Sequence, residues 1–159
     1  MRLLFCLILG LAALPQLGGA AEIVIMAVEE KDNYDAVNSM KSFAAEQLRP
    51  AGHTVTLVEG DRPVKHHFAG LVEALGKADL LVLFSRRRFL PPDQMAAIKT
   101  HLNAGKPLVG IRTANHAFIP RATDVVDTAM QVVWPEFTEE VLGGKNTGYE
   151  TKGMPYRVT

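Results

Sequence analysis

The sequence is almost without cysteine: among its 159 residues only Cys6 is one. Cys6 lies in an apolar run from Leu3 to Leu14 that leads into Pro15 to Ala21, and this layout is typical of a secretory signal peptide. We therefore expect residues 1–21 to be removed and the rest to be exported, periplasmic or extracellular. The exported chain would have no disulfide, no thiol nucleophile and no thiolate metal site.

The sequence also lacks an excess of charge of either sign and a second long apolar run. Lys and Arg total 17, as do Asp and Glu, which argues against nucleic acid or an anionic membrane as a partner. After cleavage nothing is long enough to anchor the chain in a membrane. Because no repeat, low-complexity tract or linker is visible, residues 22–159 are predicted to be one domain. A homo-oligomer is compatible with this composition.

Glycine-rich cofactor motifs are missing as well. The first predicted strand is not followed by a Gly-x-Gly-x-x-Gly turn or by a Ser/Thr-rich loop, and the segment from Gly143 to Gly148 lacks the Walker spacing. We therefore predict no nucleotide, no flavin and no other cofactor. His66 and His67 would point about 100° apart on a helix and could not easily chelate one ion. A composite metal site with His116 stays open as an alternative, but no metal is our prediction.

The sequence does contain apolar strand patterns that alternate with amphipathic helix patterns. The strands are predicted at Glu22 to Val28, His53 to Val58, Asp79 to Phe84 and Lys106 to Ile111. The inward stripes of the helices between them are Val37, Met40, Phe43, Ala44 and Leu48; then Phe68, Leu71, Val72 and Leu75; then Met95, Ile98 and Leu102. His101 is expected on a polar helix side, and His53 at a strand start. This pattern predicts an α/β fold, a three-layer, doubly wound and mostly parallel sheet.

The pattern weakens beyond Phe118. Asp124 to Val133 is predicted to be helical or irregular, Trp134 to Phe137 a loop, and Glu139 to Leu142 a short helix. The last residues, Met154 to Thr159, are predicted to be a strand. Because the sequence stops inside that strand, we expect either a truncated domain or one without the usual last units.

Polar side chains follow three of the four predicted strands. They are Glu29, Glu30 and Tyr34 after the first, Arg86, Arg87 and Arg88 after the third, and Arg112, Thr113, Asn115 and His116 after the fourth. Because the carboxyl ends of parallel strands share one edge of the sheet, these groups should converge on one crevice. Such a crevice suits a polyhydroxylated or anionic small molecule. The alternative for the arginine triplet is a solvated loop.

The position of Arg112 is the most informative in this set. In hydrolases of similar architecture the sharp turn after such a strand carries the nucleophile. Here Gly110-Ile111 is followed by arginine, so the turn is predicted to be a site but not one for acyl transfer. A cation directly after a buried strand needs a partner, which would be Glu29, Glu30 or a ligand.

These residues carry a resemblance to a known family. Ala78 to Arg88, Gly105 to Phe118, Trp134 and Val141 to Gly144 look like the ThuA-like (trehalose utilization) family of the class I glutamine amidotransferase-like superfamily. The resemblance implies a flavodoxin-like sheet and a role in carbohydrate metabolism. It also implies a pocket built from the groups at the strand ends and closed by the loop after Gly144. Tyr149 in that loop stands where the family often has histidine.

The resemblance leaves two functions open. In the first, the protein is an enzyme that processes a modified saccharide, with His116 as general acid or base and Arg112 orienting an oxygen substituent. In the second, it is a carbohydrate-binding or accessory module without catalysis. A glutamine amidotransferase activity is excluded because the exported chain would have no cysteine. Tyr34, Thr113, Asn115 and Tyr149 are further predicted contacts to the saccharide.

Overall fold

The computed structural model describes residues 19–29, 34–60 and 66–144. Most of the predicted signal peptide, residues 1–18, therefore lies outside the described residues. So do Glu30, Tyr149 and the predicted strand from Met154 to Thr159. Within the described residues no helix is both long and apolar enough to cross a membrane.

Four parallel strands form the centre of the molecule. They are β1 (Glu22–Ala27), β2 (Thr54–Glu59), β3 (Leu80–Phe84) and β4 (Leu108–Gly110). The order across the sheet is β2-β1-β3-β4, and each neighbouring pair is parallel. β2 therefore lies on one side of β1, and β3 and β4 lie on the other side. This order confirms the predicted α/β class with its parallel sheet and is compatible with a flavodoxin-like layout.

The helices cover both faces of the sheet. They are α1 (Ala36–Phe43), continued by a π-helical turn (Ala44–Leu48), α2 (Leu71–Lys77), α3 (Pro92–Asn103) and α4 (Phe137–Glu140), with a 3-10 helix (Arg112–His116) directly after β4. Alternate residues of β1 face opposite sides: Ile23 and Ile25 pack with α1, whereas Val24 and Met26 pack with α2 and α3. This alternation explains why β1 is apolar at nearly every position.

Two predictions about the end of the sheet were wrong. The fourth strand is shorter than predicted and is not buried, because β4 has a strand on one side only among the described residues, and Val109 is 47% exposed. A short 3-10 helix follows β4 directly. From Arg121 to Val133 the described chain is irregular, which settles the alternative left open for Asp124 to Val133.

Three predictions about helix faces were also wrong. Phe43 was assigned to the inner stripe of its helix but is 44% exposed, and Val72 is exposed as well. His101 was expected on a polar side but is buried, with its Nε2 atom 3.1 Å from the carbonyl oxygen of Pro107. His101 therefore joins the end of α3 to the start of β4.

Candidate functional site

The carboxyl edge of the sheet brings three chain segments side by side. Ala27 lies opposite Phe84, and Leu83 lies opposite Gly110, so the segments after β1, β3 and β4 leave the sheet at adjacent positions. The ends of these three strands are therefore adjacent, as expected for a parallel sheet. Parallel α/β sheets bind their ligands at this edge.

The turn at Arg112 has the strained backbone of a nucleophile elbow. Arg112 has a φ of 48°, a left-handed conformation that is uncommon for residues other than glycine. A Cβ atom on Gly110 would lie 3.1 Å from Cβ of Ala114. The small residues two positions before and after Arg112 therefore let the chain fold back tightly, as in Gly-x-Ser-x-Gly elbows. The requirement for a small residue at Ala114 was missed from the sequence.

The side chain of Arg112 packs on an aromatic ring. Its guanidinium carbon lies 3.6 Å from the ring centroid of Tyr34, which is itself left-handed with a φ of 57°. Glu29, Glu30 or a ligand was expected as the partner of Arg112; in the described part of the chain its guanidinium packs on this ring, and Glu30 lies outside that part. The contact joins the segment after β1 to the segment after β4, and Tyr34 remains 58% exposed beside it.

The arginine loop after β3 is fastened to the segment after β4. The backbone N–H of Arg87 donates to the carbonyl of His116 at 2.9 Å, and that of Arg88 donates to the carbonyl of Ala117 at 2.6 Å. The guanidinium of Arg88, only 3% exposed, donates to the carbonyl of Arg86 at 2.8 Å. Arg88 therefore stabilises its own loop, and the alternative of a solvated loop does not describe it.

His116 is buried among cationic groups. Its side chain is 9% exposed, and burial is the main cause that lowers its pKa below 6.5. The positive charges of Arg87, Arg86 and Arg121 lower this pKa further. His116 is therefore a neutral imidazole at neutral pH.

The predicted site residues fall into two groups. Arg112 and Tyr34 lie at one end of the 3-10 helix, and His116 with the arginine loop lies at the other end, about 8 Å along the axis at the usual rise. The hydroxyl of Thr113 points to the carbonyl of Ser85 at 3.4 Å, and the carbonyl of Asn115 accepts a bond from Thr138 at 2.6 Å. Glu29 is exposed at the end of β1.

A cavity of about 210 Å³ lies beside the arginine loop. Its walls include Arg87, which was predicted, and His66, Arg121 and Asp124, which were not predicted as binding residues. Arg121 could not be found from the sequence because it follows no strand and sits in an irregular segment. A second cavity of about 360 Å³ lies between α2 and α3 and is lined by none of the predicted site residues.

In the part of the chain that the structure describes, no group of three His, Cys, Asp or Glu side chains could hold a metal ion. Comparisons of the whole chain with protein-family models, with curated proteins and with solved structures give no match. The class of this protein is therefore defined by its own geometry: an α/β domain with polar and cationic groups at the carboxyl edge of a parallel sheet.

Proposed function

We propose that this protein binds a small saccharide at the carboxyl edge of its sheet and processes it, as a ThuA-like protein of carbohydrate metabolism. The observation that carries the proposal is the buried, neutral imidazole of His116 beside Arg86, Arg87 and Arg121. A base next to fixed cations suits chemistry in which a hydroxyl or a carbon acid loses a proton. The resemblance of the sequence to the ThuA-like family supports a sugar as the substrate.

In this proposal His116 acts as the general base. Its lowered pKa keeps the imidazole unprotonated at neutral pH, so it can accept a proton from a sugar hydroxyl or from an activated C–H bond. The guanidinium groups of Arg86 and Arg87 stabilise the negative charge that this transfer leaves on the substrate. Arg112 holds an oxygen substituent of the sugar and forms no covalent intermediate, because a guanidinium is not a nucleophile at neutral pH.

A second function, a saccharide-binding module without catalysis, is favoured by a different observation. Arg112 occupies the elbow position, is exposed, and is stacked on Tyr34. A planar cation stacked on an aromatic ring can contact a saccharide. Binding of this kind requires no general base. This function predicts binding that depends on Arg112 and Tyr34 and that leaves the saccharide unchanged.

The experiment that separates the two functions combines turnover and calorimetry. Trehalose, other disaccharides and their keto derivatives are incubated with the parent protein and with the variants His116→Ala and Arg112→Ala. His53→Ala and Arg49→Ala are the controls, since both residues flank the opposite, amino edge of the sheet, next to the start of β2.

The enzyme function predicts that His116→Ala lowers turnover by at least about 100-fold and that the controls retain it. The module function predicts saturable binding, weakened in Arg112→Ala, with no product. Turnover that is unchanged in both site variants contradicts the enzyme assignment. If none of the saccharides binds, both functions are contradicted.

A further inference from the structure

The cavity beside the arginine loop has walls from three separate segments. His66 and Phe89 come from the segments before α2 and after β3, and Arg121, Thr123 and Asp124 come from the irregular segment after the 3-10 helix. Arg87 and Val125 also line it. With a volume of about 210 Å³, the cavity is smaller than the roughly 300–1,000 Å³ typical of drug-sized ligands, so it suits one sugar ring or less.

Two of its charged groups are fixed in place by hydrogen bonds. The guanidinium of Arg87 donates to the carbonyl of Ile119 at 2.8 Å. The carboxylate of Asp124 accepts the backbone N–H of Arg121 at 2.7 Å, while the backbone N–H of Asp124 donates to the carbonyl of Arg121 at 3.1 Å. This reciprocal pair closes a tight turn and holds the Asp124 carboxylate against the backbone of Arg121.

A backbone hydrogen bond sets the tautomer of the His66 imidazole. Its Nδ1 atom accepts the backbone N–H of Phe89 at 3.0 Å, and its ring stacks on the Phe89 ring with centroids 4.7 Å apart. Since Nδ1 is an acceptor, the proton of a neutral ring sits on Nε2. In this tautomer His66 adds no charge to the walls of the cavity.

The charges of the walls indicate the charge of the ligand. Arg87 and Arg121 are positive, Asp124 is negative and His66 is neutral, so the lining carries one net positive charge. A carboxylate balances this charge, whereas a phosphate monoester carries about −1.5 to −2 at pH 7 and would also meet Asp124. Planar guanidinium groups match the two oxygens of a carboxylate.

We propose that this cavity binds the carboxylate of an acidic monosaccharide, an aldonate or a uronate. This inference deepens the proposed saccharide function and rests on it. Arg87 lines the cavity, and its backbone N–H donates to the carbonyl of His116, so the cavity adjoins the segment that carries the proposed general base.

Calorimetry at low ionic strength tests the proposal with glucuronate, gluconate, glucose, glucose 6-phosphate and acetate. We expect a sugar acid to bind at least about tenfold more tightly than glucose. Arg121→Gln should lower the affinity for the acid by at least about tenfold and that for glucose much less. Lys77→Gln is the matched control, because it removes one positive charge at the end of α2, on the opposite edge of the sheet.

A second variant, Asp124→Asn, keeps an oxygen acceptor for the N–H of Arg121 and removes the negative charge. It should raise the affinity for glucose 6-phosphate more than the affinity for gluconate. Thermal unfolding of each variant shows whether it is folded, and Asp124→Asn provides a gain of binding that a misfolded protein could not give.

The outcomes separate this inference from the function on which it rests. Equal binding of glucose and the sugar acids, or no effect of Arg121→Gln, overturns the carboxylate inference and leaves the saccharide function standing. Tightest binding of glucose 6-phosphate also overturns it. Binding of acetate without any sugar overturns both the acidic-sugar ligand and the saccharide function, as does the absence of all binding.

Discussion

Gly110 and Ala114 decide whether the turn at Arg112 can form. A Cβ atom on Gly110 would lie 3.1 Å from Cβ of Ala114 and 3.2 Å from Cδ2 of Leu142. Leu142 can move by rotating its side chain, but Cβ of Ala114 is fixed to the backbone. The left-handed φ of Arg112 therefore depends on two small neighbours as well as on its own backbone.

Gly110→Ala should destabilise the fold by about 1–3 kcal/mol, because the added methyl group overfills this contact. Ala114→Gly in the same chain should recover part of that loss by removing the opposing methyl group. The measurement is the free energy of unfolding in urea. Gly76→Ala is the control: a Cβ atom there meets nothing within 4 Å, and the change in α2 should stabilise by about 0.4–1 kcal/mol. Equal effects at both glycines would contradict this account.

His116 makes stability depend on pH. Its folded-state pKa is lowered below 6.5 by burial and by Arg87, Arg86 and Arg121, so the unfolded chain takes up a proton at a higher pH than the folded chain does. Stability should therefore be full above about pH 6.5 and fall as the pH drops through 6.5 toward the lowered value. In His116→Gln this part of the pH dependence should vanish. Urea unfolding from about pH 8 to pH 5 measures it, and identical pH slopes for the two proteins would contradict the role of burial.

At the scale of elements, the carboxyl edge is held in part by loops that bond to one another. The arginine loop donates two backbone N–H groups to the segment after β4, and Leu90 and Val132 exchange two further bonds at 3.2 and 2.7 Å. Gln94 of α3 holds the segment before α2 in place. Its side chain accepts the N–H of Phe68 at 3.0 Å and donates to the Phe68 carbonyl at 2.8 Å.

Replacing Gln94 by methionine should cost about 1–3 kcal/mol of stability. Methionine has a similar volume, but it leaves the buried N–H of Phe68 without this partner, whereas the Phe68 carbonyl still accepts the N–H of Leu71 at 3.2 Å. Leu102→Met in the same helix is the control, a volume-conserving change that should cost less than about 1.5 kcal/mol. Chemical denaturation compares them, and a loss at position 94 no larger than at position 102 would contradict the structural role of Gln94.

At the scale of the whole molecule, the sequence predicted what depends on local pattern. The apolar runs of β1 and β3 and the stripe of α3 gave the strands, the helix and the parallel sheet, because burial on both faces leaves a clear mark. The edge position of β4 was not predictable, since its apolar residues Leu108 and Val109 read like those of a central strand. Only the order of the strands shows that one side lacks a described neighbour.

The site residues, too, divide into those that the local sequence pattern predicts and those that it does not. Residues that directly follow strands, such as Arg112 and Arg87, could be predicted because every parallel strand points to the same edge. Arg121 and His66 could not, because they reach that edge through irregular segments whose path depends on tertiary contacts. The Tyr34 ring was predicted as a ligand contact, but its packing on Arg112 was not, since a residue several positions beyond a strand has no fixed direction.

The central claim is that a saccharide binds at the carboxyl edge, and amide chemical shifts during titration test it most directly. We predict that trehalose or glucuronate shifts the amides of residues 85–88 and 112–121 and leaves those lining the 360 Å³ cavity between α2 and α3 unchanged. Shifts centred on that cavity or on the amino edge of the sheet, or no shifts with either saccharide, would contradict the claim.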